Sequence, residues 1–304
     1  MPRRLAPPAR GVSLIELLVG MVIALMVLGI ALQLILLARA HYWRMADDAL
    51  IQDRGMEAIE FVGKVIRQAG WSTDTPVVAS VRRWPGANAP SSLLGQDNCG
   101  RPHMTPTFNC DRRAEAASDA LLVRFSGRGA KNGDGAMRDC LGYGVPERQA
   151  THGDPRLGGL MLYVTHSGTA NVPQLVCRAF QRNVDAPVDG SSDAVVRGVE
   201  TLQLLYTVGS DTTSPATIKS ARSMQDEDWF RVRLVHVGIV VQGDHLAVQA
   251  PTADTISLFP DLAAVPDALA EDLQFRPADP RRNRAHFAAT FAVRNPLRCE
   301  ADAC

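Results

Sequence analysis

The sequence predicts an α+β fold: one long N-terminal helix, apolar in its first half and amphipathic in its second, packed on a domain of antiparallel β-sheet. Three observations predict it. Residues 12–38 read VSLIELLVGMVIALMVLGIALQLILLA, an almost unbroken apolar run. From 39 to 70, charged and apolar residues alternate at helical spacing. Beyond Trp71 the pattern changes to short apolar or period-two segments separated by Gly, Pro, Asn and Asp.

The apolar run is long enough to cross a membrane. At about 1.5 Å per residue a helix of this length spans a hydrocarbon core of roughly 30 Å. Arg3, Arg4 and Arg10 precede it with no acidic residue among them, and positive charge is retained on the cytoplasmic side, so the short N-terminus is expected inside and the bulk of the chain outside. A cleaved secretory signal fits less well. The run exceeds the roughly 7–15 residues of such a segment, no A-x-A site follows it, and it continues into further helix. The chain divides into a basic leader over 1–11, a membrane helix over 12–38, an amphipathic helix over 39–70 and a β-rich domain over 71–304.

In the amphipathic stretch the apolar positions expected to face the domain are Ala49/Leu50, Met56, Ile59, Val62, Ile66 and Ala69, three or four apart. Gly70 is the expected stop. Candidate strands follow at 120–125, 159–166, 174–180, 195–208, 230–242 and 284–294. The last two alternate most clearly and suit a sheet covered on one side by the helix. Segments 84–109, 210–228 and 252–280 are rich in polar and turn residues, and are candidate partner surfaces.

Charge excludes one class of function. The chain carries 32 Lys and Arg against 32 Asp and Glu, with no basic run outside the N-terminus, so nucleic-acid binding is not indicated. The six cysteines, Cys99, Cys110, Cys140, Cys177, Cys299 and Cys304, all follow the apolar run. An even number in a translocated domain points to disulfides. Six cysteines allow about 15 connectivities; sequence neighbours are the expected pairs, Cys99 with Cys110, Cys140 with Cys177, and Cys299 with Cys304.

No catalytic signature is present. H-E-x-x-H, G-x-S-x-G, P-loop and dinucleotide fingerprints are missing, as is C-x-x-C. The expectation is therefore no enzyme activity, no metal and no cofactor. Asn132-Gly133-Asp134-Gly135 resembles the start of a calcium loop but lacks the later acidic ligands, and reads as a tight turn. His103, between Cys99 and Cys110, falls short of a zinc set. Arg281, Arg282 and Arg284 form a basic cluster of the kind that is mostly solvated surface.

Glu16 is the informative residue. It is a lone carboxylate near the start of the apolar helix, where burial in lipid costs on the order of 2 to 3 kcal/mol. Cleavage after Gly11 would free an amine on Val12, one helical turn away on the same face, as a partner for it. The stretch RGVSLIEL at 10–17 resembles the class III signal of type IV prepilins. That resemblance implies cleavage by a prepilin peptidase between Gly11 and Val12, N-methylation of Val12 and an assembly role for Glu16, fifth in the mature chain. Val12 departs from the phenylalanine usual in that family.

Further on, VETLQLLY at 199–206, VRLVHVGIVV at 232–241, Arg281-Arg282, FAATFAVRN at 287–295 and DCLG at 139–142 resemble the PilW family of minor pilins. The resemblance implies a pilin-like fold and a subunit that primes or caps a type IV pilus, supporting twitching motility and adhesion. The implied partners are the peptidase, other minor pilins, the major pilin, the inner membrane and a tip adhesin. The GspJ-like minor pseudopilins of type II secretion share this layout and are the alternative. A periplasmic enzyme or binding protein that uses the helix only as an anchor is a second alternative, of a different class.

Overall fold

The computed structural model describes residues 13–71, 91–104, 108–110, 117–129, 133–147, 158–167, 171–179, 191–209, 216–246, 255–262 and 265–295. Helix α1, Leu14–Gln68, runs for 55 residues without a break. The chain divides into two compact units, Met1–Asp47 and Asp48–Cys304. In the first, every side chain from Leu14 to Met45 is exposed, and α1 is long and apolar enough there to cross a membrane.

In the second unit the remainder of α1 buries one stripe, formed by Ile51, Gly55, Ala58, Val62, Val65, Ile66 and Ala69. This differs from the expected stripe at its start, where Met56 is exposed and Gly55 and Ala58 face inward. The reason lies on the opposing strand. A Cβ at Gly55 would collide with the ring of Phe287, and one at Gly63 with the ring of Phe291. Small residues on this face let two aromatic rings seat directly against the helix backbone, which a periodicity read from large apolar residues misses. The helix ends at Gly70, whose φ of +69° favours glycine. The Asn295 side-chain amide donates to the carbonyls of Arg67 (3.4 Å) and Ala69 (3.2 Å), satisfying the helix end.

The strands are, in chain order, β1 Leu93–Gln96, β2 Pro102–Met104, β3 Phe108–Cys110, β4 Ala120–Arg124, β5 Gly159–Ser167, β6 Val172–Ala179, β7 Ser192–Arg197, β8 Val199–Val208, β9 Thr217–Lys219, β10 Val232–Leu246, β11 Ile256–Ser257, β12 Gln274–Phe275 and β13 Arg282–Ala292. A short helix, α2, covers Ala270–Leu273. Two antiparallel sheets carry the domain, one ordered β1-β4-β5-β6-β7 and the other β13-β10-β8-β9, with small two-stranded pairs β2-β3 and β11-β12 beside them.

The segment 195–208 is therefore not one strand. Gly198, at φ +84°, turns the chain from β7 in the five-stranded sheet into β8 in the four-stranded one. Its N–H donates to Pro173 O (2.7 Å) and its carbonyl accepts from Gln242 N (2.8 Å), so its peptide groups bond to both sheets. The expected single sheet is thus two, hinged at a glycine that a run of Val, Leu and Thr conceals.

The main core draws on all three layers. Ile51, Val62 and Ile66 of α1, Leu121, Leu160, Leu162 and Leu175 of the five-stranded sheet, and Leu202, Tyr206, Val235, Val237 and Ile239 of the four-stranded sheet belong to one buried cluster. The four-stranded sheet is covered on its other face as well, where Leu205 and Val240 pack with Leu258, Phe259, Val265 and Phe275. Burial on both sides explains why β10 is apolar almost continuously from Val235 to Val241.

Two disulfides staple loops to this body. Cys99–Cys110 (Cα–Cα 5.5 Å) ties the β2-β3 hairpin to the end of β1, and Cys140–Cys177 (6.3 Å) ties the loop around 133–147 to β6. These are two of the three neighbour pairs. Cys299 and Cys304 lie outside the described residues.

Candidate functional site

The start of α1 is built by Ser13 and Glu16. Ser13 is the N-cap residue: its carbonyl accepts the first helical bond, from Leu17 N at 3.1 Å, and its Oγ accepts from Ile15 N at 3.3 Å. Its own N–H donates to Glu16 Oε2 at 3.3 Å. Together these bonds form a variant of the capping box: the acidic side chain three residues on serves the cap amide, while the cap side chain serves the amide two residues on rather than three. The negative end of Glu16 also lies at the helix N-terminus, where the macrodipole favours it. The lone carboxylate of the apolar run therefore has a partner at the start of its own helix. The signal was present as Ser13-Leu14-Ile15-Glu16, an S-x-x-E pattern ahead of an apolar run, and reading Glu16 only as a misplaced charge overlooks it. Gly11 and Val12 lie outside the described residues.

Behind this start the helix offers an almost wholly apolar surface, broken at Gln33. Leu14, Ile15, Leu17, Leu18, Met21 and Val22 are all more than half exposed, and the pattern persists through Leu37. An exposed apolar surface of this extent marks contact with lipid or with other protein chains. The glycines within it, Gly20 and Gly29, have no other group within 4 Å of where a Cβ would stand.

Several charged groups of the globular unit are held in internal pairs. The side chain of Arg284 is buried and forms a bidentate pair with Glu200, whose Oε1 lies 3.0 Å from the second guanidinium nitrogen. Arg281 pairs with Asp279 at 3.1 Å, and Arg282 donates to the carbonyls of Gly243 and Asp244. The 281–284 cluster is therefore not simply solvated surface, because β13 carries Arg284 to a glutamate 84 positions earlier in the chain. On α1, Arg54 grips both carboxylate oxygens of Asp244 at 2.8 and 3.0 Å, and this guanidinium holds the Asp244 carboxyl below its usual range.

At the junction of the sheets, Asp119 is buried and accepts from Asn98 N (3.1 Å) and Leu204 N (2.8 Å). Ser118 exchanges bonds with both backbone groups of Leu202. These two residues thereby satisfy the part of the β8 edge that β9, paired only with 206–208, does not reach. Burial and the neighbouring Asp97 push the Asp119 carboxyl well above its ordinary value. A cleft of 370 Å³ nearby is lined by Gln96, Asp97, Asn98, Asn109, Arg222 and Glu271 among others. Its charges answer one another: Arg222 lies 3.6 Å from Glu271 and 3.7 Å from Asp272, while Asp97 accepts from the amides of Ala221 and Arg222.

Among the described residues, no group of three His, Cys, Asp or Glu side chains is placed to hold a metal ion. The cysteines flanking His103 are joined to each other. Asp134 accepts from Ala136 N within a turn that has positive φ at Gly133 and Gly135. Asp139, in the 139–142 element, accepts from the amides of Leu141 and Tyr143 and shapes the loop that carries Cys140.

Residues 162–295 match the family described as type IV pilus-assembly protein W, PilW, and residues 7–32 match the prokaryotic N-terminal methylation motif. No curated protein matches the chain. Among solved structures, a type IV-like pilin from Thermus thermophilus aligns with 12% identity and a TM-score of 0.39, covering 81% of this chain and 98% of that one.

Proposed function

We propose that this chain, a type IV pilin-like protein carrying a PilW domain behind an N-terminal methylation motif, is a minor pilin that primes or caps a type IV pilus. The observation that carries the reading is the methylation motif over 7–32, which contains Gly11, Val12 and Glu16. In this reading a prepilin peptidase hydrolyses the Gly11–Val12 bond and Val12 is methylated. The 12–38 segment holds the chain in the inner membrane, with the disulfide-bearing domain in the periplasm.

Assembly then exchanges lipid for protein along the apolar half of α1. In either environment the exposed leucines, isoleucines and valines leave water, so burial favours both states. Polar contacts, which hydrocarbon makes costly to leave unpaired, supply direction. Glu16 provides that contact by pairing with the amine of Val12 on its own or a neighbouring chain. The globular unit contributes its surface to other minor pilins, the major pilin or a tip adhesin, with twitching motility and adhesion as the outcome. The PilW match supports a structural role over an enzymatic one.

Affinity purification of the tagged chain tests this. Recovery with other minor pilins and the major pilin is expected. Recovery with the pseudopilins of a type II secretion system instead would reassign the filament.

A further inference from the structure

The exposed part of α1 continues past the point where its apolar run stops. From Arg39 to Met45 the helix is unbroken and every side chain is exposed, but the chemistry changes: Arg39, His41 and Arg44 are interleaved with Tyr42, Trp43 and Met45. Tyr42 is 66% exposed and Trp43 42%, and their rings stand edge to face with centroids 5.6 Å apart. Such a mixture suits neither water nor hydrocarbon. Tyr and Trp join an apolar ring to a polar tip, and arginine carries its charge on a long apolar stem. All three fit the boundary between the two media.

Length locates that boundary. Between Glu16 and Arg39 the run is apolar except at Gln33, and from Leu17 to Leu37 the helix rises about 30 Å, the thickness of a bilayer's hydrocarbon. With Glu16 at one edge, where a carboxylate costs least, the opposite edge falls at Ala38. Arg39 to Arg44 then rises through the next ~8 Å, about the depth of one headgroup layer. Charge agrees with this placing. No acidic residue lies between Glu16 and Asp47, so the stretch carries nothing that repels a phosphate, while Asp47 and Asp48 follow only beyond it.

We propose that Arg39, Tyr42, Trp43 and Arg44 form an interfacial collar that binds the phospholipid headgroups of the leaflet facing away from the leader. The two rings seat among the glycerol and ester groups, and the guanidinium groups reach the phosphates. The collar fixes how far the helix stands out of the membrane, and with it the level of Glu16 at the opposite edge. These contacts are also given up when the chain leaves the bilayer for a filament, so retention in the membrane has a polar component besides apolar burial.

This inference rests on the reading of 12–38 as a membrane helix, and one experiment separates the two. The full-length chain is reconstituted into vesicles of phosphatidylcholine and phosphatidylglycerol whose acyl chains carry bromine either close to the glycerol or close to the bilayer centre. Flotation reports attachment. Quenching of tryptophan fluorescence reports depth, and the part of it lost in Trp43→Phe belongs to Trp43. The chain is expected to float, with Trp43 quenched more strongly by the shallow bromines than by the deep ones. Arg39→Leu extends the apolar run and is expected to draw Trp43 inward, shifting the quenching toward the deep bromines. A floating chain whose Trp43 is quenched by neither would overturn the collar alone and leave these rings to a protein partner. Stronger quenching of wild type by the deep bromines would also overturn it, and an unchanged ratio in Arg39→Leu would overturn the role given to that arginine. A chain that does not float would overturn the membrane-helix reading and the collar together.

Discussion

The exposed first part of α1 and the globular unit obey opposite rules, although both are rich in apolar residues. From Leu14 to Leu37 nothing is buried, and the only polar organisation is the Ser13–Glu16 box at the start. From Ile51 onward, apolar side chains, glycines and even charged groups such as Arg284 are fitted to named partners. The first region is made for a surrounding that the chain itself does not supply, whether lipid or other helices. The second buries its own core between the helix and the two sheets. Substitutions should therefore act on association in one region and on folding in the other.

The largest effect is expected at Glu16. Glu16→Ala abolishes incorporation into filaments, scored by shearing and immunoblotting, while the chain remains in the membrane fraction. Undiminished incorporation would favour a plain anchor. Next is Glu200→Ala, which leaves the fully buried Arg284 guanidinium without its anion. Breaking a buried pair from one side costs about 3–5 kcal/mol, to be read as a lowered denaturation midpoint.

The glycines sharpen the contrast most directly. Gly55→Leu or Gly63→Leu drives a side chain into the Phe287 or Phe291 ring and should cost about 1–3 kcal/mol or more by overpacking. Gly20→Leu and Gly29→Leu, where nothing lies within 4 Å, should leave the denaturation midpoint unchanged. A loss of filaments in the latter pair without a loss of stability would locate close helix contacts in the assembled state.

The smallest effect concerns pH. Asp119 has its folded-state pKa raised by burial, so the folded chain holds that proton more tightly than the unfolded chain. Its contribution to stability is fully present below the ordinary aspartate value of 3.8 and is lost as pH rises through the folded value. Asp244, held low by Arg54, acts in the opposite sense: its contribution is present above the ordinary value and lost as acid protonates it. Asp119→Asn should flatten the decline in thermal stability above about pH 4, measured against wild type across the same buffers.

What could be read from the sequence follows the same division. The long helix, its stop at Gly70 and the strands β4, β5, β10 and β13 were legible, because each carries a local periodicity or apolar run. Short strands such as β1 and β9 were not, because three or four residues become a strand only through register with a distant partner, as Leu93 does opposite Val123. The division at Gly198 was hidden because the residues on either side are equally apolar while bonding to different sheets. At the candidate site, Glu16 was conspicuous as a charge in an apolar run. Ser13 was not, since its role appears only when its three backbone and side-chain bonds are taken together. Arg284 looked like surface for want of any local sign of Glu200.

The central claim is that this chain is a processed pilin subunit, and the mass of its N-terminus decides it. With the prepilin peptidase active, the mature protein is expected to begin at Val12 carrying a methyl group, and without the peptidase to retain Met1 through Gly11. A chain that keeps its leader in the presence of active peptidase would contradict the account.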